Sequence, residues 1–198
     1  MDLLRIETRR NFARMPGSNL YFIALVPPPH ICSEVMYFKH DLGTRFESSE
    51  ALKVMPHITL KAPFKFPFEN TRLIQWFNEM RIQQIPFKIE MKDFGSFPNK
   101  DHPVIYVCPV MSTPLYSLQR ELIRSFRINF PQIKIIPLEL KFNPHMTVAY
   151  RDLKPELFRK AWEEYKIKKY SATFEVNCFY LLQHNYKKWN IISTKTLK

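Results

Sequence analysis

The sequence predicts a mixed fold of strands and helices, built as a duplicated βαβ-type unit. Three observations predict it. Short apolar or alternating runs of strand character are interleaved with stretches whose apolar residues recur at helical spacing. The same order of elements returns at nearly one offset: Tyr21 to Val104 is 83 residues, His57 to His145 is 88 and Phe87 to Phe174 is 87. One tetrapeptide, Pro-His-x-Thr, stands once in each half. A period this long points to a duplicated unit, since solenoid repeats are shorter.

The elements follow in order. Leu20 to Val26 is an apolar strand, stopped by Pro27, Pro28 and Pro29, which cannot donate to a ladder. Ile31 to Leu42 reads as a helix ending near Gly43, and Val54 to Lys61 as a short alternating strand. Thr71 to Gln84 places Leu73, Ile74, Phe77 and Met80 at helical spacing behind a cap at Asn70 or Thr71. Phe87 to Phe97 alternates, with Phe87, Ile89 and Met91 on one face and Lys88, Glu90 and Lys92 on the other. In the second half Val104 to Cys108 is a strand. Thr113 to Phe130 is an amphipathic helix carrying Leu115, Leu118, Leu122, Ile123 and Phe126. Phe142 to Tyr150 is a second short strand, and Pro155 to Ile167 a helix with proline in its first turn. Phe174 to Leu182 reads as one strand, and Trp189 to Thr196 closes the chain.

Composition narrows the chemistry. Hydrophobic residues are 45% and charged residues 24% of 198, ordinary globular usage that excludes wholesale disorder. Residues 19–198 are expected to form a single bilobal domain behind a polar, basic lead-in at 1–18 that is expected to be poorly ordered. Only Gly17, Gly43 and Gly95 are glycines, against 16 prolines, so neither a Rossmann fingerprint nor a Walker A loop is present. Thirty Lys and Arg against 18 Asp and Glu leave +12, an excess that favours polyanionic partners. Cys32, Cys108 and Cys178 are odd in number and widely spaced, which argues against a disulfide framework and for a reducing cytoplasm. The stretch from Met1 to Arg10 mixes charges without the apolar core of a signal peptide. The longest apolar run, Leu20 to Val26, is far too short to span a bilayer.

The sharpest signal is Pro56-His57-Ile58-Thr59-Leu60 and its repeat Pro144-His145-Met146-Thr147-Val148. At this composition, roughly two hundredths of a Pro-His-x-Thr copy is expected by chance, so two copies are specific. Residues i and i+2 of a strand share a face, which sets each histidine beside its threonine. Two imidazoles with ordinary values near 6.5 can hold opposite protonation states, one as base and one as acid. Two hydroxyls can donate to the non-bridging oxygens of a phosphodiester as charge builds on phosphorus. A lone histidine in an apolar strand is usually a satisfied core group. The recurrence at the repeat offset reverses that weighting.

On these residues the chain resembles the 2H phosphoesterases, which include the bacterial LigT-like 2′-5′ RNA ligases and the cyclic phosphodiesterases. That family carries two His-x-Thr/Ser-aliphatic motifs roughly 80 to 90 residues apart, as His57-Ile58-Thr59-Leu60 and His145-Met146-Thr147-Val148 do here. The resemblance covers about Leu20 to Leu197. It implies a bilobal α+β fold: two lobes related by a pseudo-two-fold, antiparallel sheets lining a central groove, helices outside. It implies metal-independent action on 2′,3′-cyclic phosphates or 2′-5′ linkages of nucleotides or RNA ends, reversible in principle as ligation, without a cofactor. Carried over, His57 and His145 match the acid/base pair, and Thr59 and Thr147 the phosphate-binding hydroxyls. Tyr150 stands where some members place an aromatic against substrate. Many relatives carry arginine soon after the second motif; here the arginine is Arg151, displaced behind Tyr150.

Other residues have two readings each. Lys61, Lys65 and Arg151 can attract phosphates or form a solvated rim. Phe64, Phe66, Phe68 and Tyr150 can stack on a base or pack a core. His30, His40, His102 and His184 read as surface or loop residues, and no His/Cys/Asp cluster has metal-ligand spacing. Two functional classes follow: a monomeric phosphodiesterase acting on RNA ends or cyclic nucleotides, or a non-catalytic RNA-binding protein using the same basic groove. Both histidine motifs being complete favours the enzyme, since binding alone needs neither acid nor base.

Overall fold

The computed structural model describes residues 19–67 and 69–198. The basic lead-in at 1–18 and Phe68, a stacking candidate, lie outside the described residues.

The chain opens with β1 (Asn19–Leu25), halted at the prolines. Pro28 is extended and Pro29 occupies the first turn of α1 (Pro29–Phe46), where its missing N–H costs nothing. The helix buries Ile31, Val35, Phe38, Lys39, Leu42 and Phe46 and ends at Glu47, which is left-handed at φ 56°. A 3₁₀ turn (Glu50–Lys53) leads through Pro56 and His57 into β2 (Ile58–Phe66). Next come α2 (Asn70–Glu79), β3 (Phe87–Phe97) and β4 (Val104–Pro109). Helix α3 (Thr113–Asn129) is capped by Ser112, whose side chain accepts from the Leu115 N–H at 3.4 Å. The short α4 (Pro137–Leu140), β5 (Met146–Ala149), α5 (Pro155–Tyr165), β6 (Ser171–Val176), β7 (Cys178–His184) and β8 (Trp189–Thr196) complete it.

All strand pairs are antiparallel, in two four-stranded sheets ordered β2-β1-β7-β8 and β5-β4-β3-β6. The α+β fold of two related lobes is therefore as the sequence predicts, with β1 and β2 answering β4 and β5. The third element of the repeat differs. Phe87 and Phe174 do not occupy equivalent places in two lobes; β3 and β6 pair with each other, Phe87 opposite Val176 and Ile89 opposite Phe174. After α2 the chain crosses to the second sheet and returns only after β6. The expected single strand from Phe174 to Leu182 is for the same reason two strands in different sheets, separated by Asn177 alone. The crossing shows as a phase slip: the buried positions are Phe174 and Val176 before it, Phe179 and Leu181 after it.

The lobes interlock. Helix α1 leaves the first sheet and packs on the second, with Phe38 edge-on to Phe94 at 5.0 Å and to Tyr165 at 6.5 Å. Helix α3 leaves the second sheet and packs on the first, Phe126 against Phe64 at 4.8 Å and Phe130 against Phe66 at 5.2 Å. Such aromatic pairs add roughly 0.5–1.5 kcal/mol each beyond area burial. Phe64 and Phe66 are thus core residues, which settles their two readings in favour of packing. No helix among the described residues is long and apolar enough to cross a membrane.

Candidate active site

Each motif enters the edge strand of its sheet, β2 or β5, and each histidine stands one residue before the strand. Burial alternates identically through both. Pro56, Ile58 and Leu60 are buried while His57 and Thr59 are half-buried; Pro144, Met146 and Val148 are buried while His145 and Thr147 are half-buried. The apolar members anchor the strand edge in the core and turn the polar pair outward. Thr59 lies opposite Ala24 on β1 and Thr147 opposite Tyr106 on β4. Neither hydroxyl has a protein partner among the described residues.

The two imidazoles are held alike. His57 Nδ1 lies 2.7 Å from the Met55 carbonyl and His145 Nδ1 lies 2.9 Å from the Asn143 carbonyl. A carbonyl can only accept, so each Nδ1 carries the proton and Nε2 is left for chemistry. The charge of His145 is felt at His57, so the two rings lie within electrostatic reach of each other.

Their surroundings differ. His57 packs on Phe22 at 4.9 Å, and Trp189 stands edge-on to Phe22 at 4.4 Å. His184, read from sequence as a surface or loop residue, is a half-buried strand residue that faces Trp189 at 5.0 Å and extends this aromatic wall. His145 packs against the paired rings of Phe97 at 5.2 Å and Tyr106 at 5.6 Å, which lie 4.6 Å from each other. Tyr106 in turn covers Gly95 so closely that a Cβ there would meet its ring at 2.5 Å. Burial lowers the His57 pKa to about 4; the Met55 carbonyl resists this, while the charges of Lys39 and His145 add to it. Burial also lowers His145, against the pull of the Asn143 carbonyl. At neutral pH the free pair is neutral at His57.

Lys61 is a correction. It does not face the groove: the residue is 1% exposed, and its ammonium donates to Glu139 Oε1 at 2.7 Å, over the rings of Phe64 and Phe126 at 5.0 and 4.9 Å. The reason is local. The β1–β2 ladder pairs Ala24 with Thr59, Ile23 with Lys61 and Tyr21 with Phe64, so an irregularity on each side of Lys61 turns it into the core. Glu139 is satisfied further by the Ala62 and Ile136 amides at 2.9 and 2.8 Å. Tyr150 is half-buried beyond β5, its hydroxyl pushed up by burial, with the exposed Arg151 guanidinium 4.9 Å above its ring. Arg151 itself is left-handed, at φ 59°. Lys39, Asp152 and the aromatic wall escape sequence reasoning; Lys39 alone leaves a signal, a charge within the apolar stripe of α1.

Two His-x-Thr motifs at the edge strands of two antiparallel sheets in an interlocked α+β fold are the arrangement of the 2H phosphoesterase superfamily. A family model described as the 2′-5′ RNA ligase superfamily matches residues 27–188, and the chain belongs to that superfamily. Among solved structures, Escherichia coli LigT complexed with 3′-AMP is similar over 91% of this chain and 99% of its own, at TM-score 0.65 and 17% identity. The protein TT0787 of Thermus thermophilus is similar over 90% and 97%, at TM-score 0.61 and 13% identity. By sequence, no curated protein matches the chain.

Proposed function

We propose that the protein is a metal-independent phosphodiesterase that opens 2′,3′-cyclic phosphates or cleaves 2′-5′ bonds at the ends of nucleotides or RNA. His57 is the base and His145 the acid. The observation that carries this reading is the pair of Nδ1-tethered imidazoles in unlike surroundings and within electrostatic reach of each other. His57 Nε2 takes a proton from the attacking water, whose oxygen bonds to phosphorus. The bond from phosphorus to the ribose oxygen breaks, and that oxygen receives the proton on His145 Nε2. With water as nucleophile the sum is addition of one water. In 2′-5′ ligation a 5′-hydroxyl takes the place of water, its oxygen bonding to phosphorus as the bond to the ribose 3′-oxygen breaks and that oxygen takes the proton. Thr59 and Thr147 donate to the non-bridging oxygens, where charge grows as phosphorus becomes five-coordinate. With acid, base and donors supplied by side chains, no step calls for a Lewis acid.

The complex of LigT with 3′-AMP supports a nucleotide substrate for a chain of this fold. Trp189 and His184, backed by the buried Phe22, offer a face for a base, and Tyr150 with Arg151 a contact at the rim. The excess charge of +12 supports RNA ends over isolated nucleotides. We take the enzyme to act as a monomer in the cytoplasm, where its three unbonded cysteines stay reduced.

The test is a screen of 2′,3′-cyclic nucleotides, ADP-ribose cyclic phosphate and 2′-5′ oligonucleotides, with products identified and salt varied. Turnover of at least one class is expected, and longer RNA ends should weaken more steeply with salt than a mononucleotide. Tight RNA binding with no turnover of any class would replace the enzyme by a binding protein.

A further inference from the structure

The 3₁₀ turn that delivers His57 is held at both ends by residues from elsewhere in the chain. At its start, the Ser49 and Glu50 N–H groups donate to Asp152 Oδ2 at 2.7 and 2.9 Å. The Ser48 and Ser49 hydroxyls add bonds to the same carboxylate at 3.1 and 3.2 Å. Asp152 belongs to the other half, five residues after Thr147. At the far end Lys39 Nζ, from α1, donates to the carbonyls of Ala51 at 3.0 Å and Val54 at 2.7 Å. Val54 is three residues before His57, and Met55, next in line, accepts from the His57 ring.

A short turn leaves amides unpaired at one end and carbonyls at the other, with a dipole between them. An anion at the amide end and a cation at the carbonyl end answer both needs. Burying an ammonium is costly, and Lys39 is 2% exposed on a helix face otherwise filled by Val35, Phe38 and Leu42. An apolar residue would fill that stripe more cheaply, yet could not hold the two carbonyls.

We propose that Lys39 and Asp152 form a two-ended clamp on the 3₁₀ turn, positioning residues that fix His57 against the second motif. Asp152 does this from the loop that follows Thr147, so the clamp ties one His-x-Thr strand to the other. The charged groups acting on His57 are Lys39 from α1 and His145 from the second lobe. Lys39 itself feels burial and Cys32. Glu50 and Lys53 pair with each other on the turn, and Tyr150 lies beside them. The effect of the clamp on turnover rests on the phosphodiesterase reading; its effect on His57 does not.

The experiment is an NMR titration of the His57 and His145 rings in the full chain, its Lys39→Met and its Asp152→Ala variants, alongside kcat/KM on a 2′,3′-cyclic nucleotide. Lys39→Met removes a positive charge and Asp152→Ala lets water reach the ring. Both should raise the His57 pKa by about one unit, leaving His145 in place. Each should lower kcat/KM by roughly tenfold to a hundredfold through kcat, as a misplaced base does. Asp152→Asn, which keeps an acceptor, should recover most of that loss. Should Lys39→Met fail to fold, Asp152→Ala still decides. An unmoved His57 in a folded variant, or both rings moving together, overturns the clamp. A moved His57 in a protein that turns over no cyclic phosphate upholds the clamp and removes the phosphodiesterase reading.

Discussion

The first and second motif regions share a tetrapeptide, an edge strand and an Nδ1 tether, but the site they build is not symmetric. Around His57 the chain places Phe22, a buried lysine and a turn pinned at both ends, and the ring is driven to about 4. Around His145 it places two aromatic rings and the Asn143 carbonyl, and burial alone draws the ring down. Duplication supplies two equivalent imidazoles; hydrolysis needs two inequivalent ones. The difference lies in the second layer of residues, which the repeat does not copy.

The comparison is broken most severely by removing either ring. His57→Ala and His145→Ala should each lower kcat by about 10² to 10⁴, and the double variant should be little worse than the poorer single one, since the pair acts as a unit. Near-full activity in either variant would end the two-histidine mechanism.

Next in size is the acid response. Folding holds His57 near 4 against an ordinary 6.5, so its stabilising effect is complete above pH 6.5 and lost as pH falls toward 4. Discounted for half-exposure, that loss is about 2 kcal/mol, and urea midpoints should show His57→Gln with a flatter profile across this window. The same order sets kcat/KM. Activity requires neutral His57 and protonated His145, so the bell should lie on the acid side of neutrality, its alkaline limb below 6.5. An optimum above pH 7.5 would contradict it.

Gly95→Ala sharpens the comparison from the other side. The new Cβ would meet the Tyr106 ring at 2.5 Å and drive it toward His145, leaving the His57 region untouched. A fall of about tenfold in kcat/KM is expected, with the His57 titration unchanged. The smallest effect belongs to chelation: activity in EDTA should match that in Mg²⁺ or Mn²⁺ within roughly twofold.

Much of this was legible in the chain. Strand Phe87–Phe97 and helix Thr113–Asn129 have the bounds their periodicity predicts to within a residue, because one face of each is continuously apolar. The motifs were legible because the same four-residue pattern recurs. What was not legible depends on distant pairing. Lys61 carries the parity of His57 and Thr59, and only the irregularities against β1 turn it inward. Asn177 looks like a point within a strand, although the phase slip from Val176 to Phe179 marks the crossing. Asp152 follows Tyr150 and Arg151 with nothing to announce that it caps a turn 102 residues earlier.

The central claim, that His57 takes a proton and His145 gives one, is tested most directly with a cyclic substrate whose leaving bridging oxygen is replaced by sulfur. A thiolate departs without protonation, so the acid is no longer needed while the base still is. His145→Ala should then recover to within about tenfold of the wild-type rate on the sulfur substrate, and His57→Ala should remain as impaired as on oxygen. Recovery of His57→Ala with His145→Ala left impaired would contradict the account.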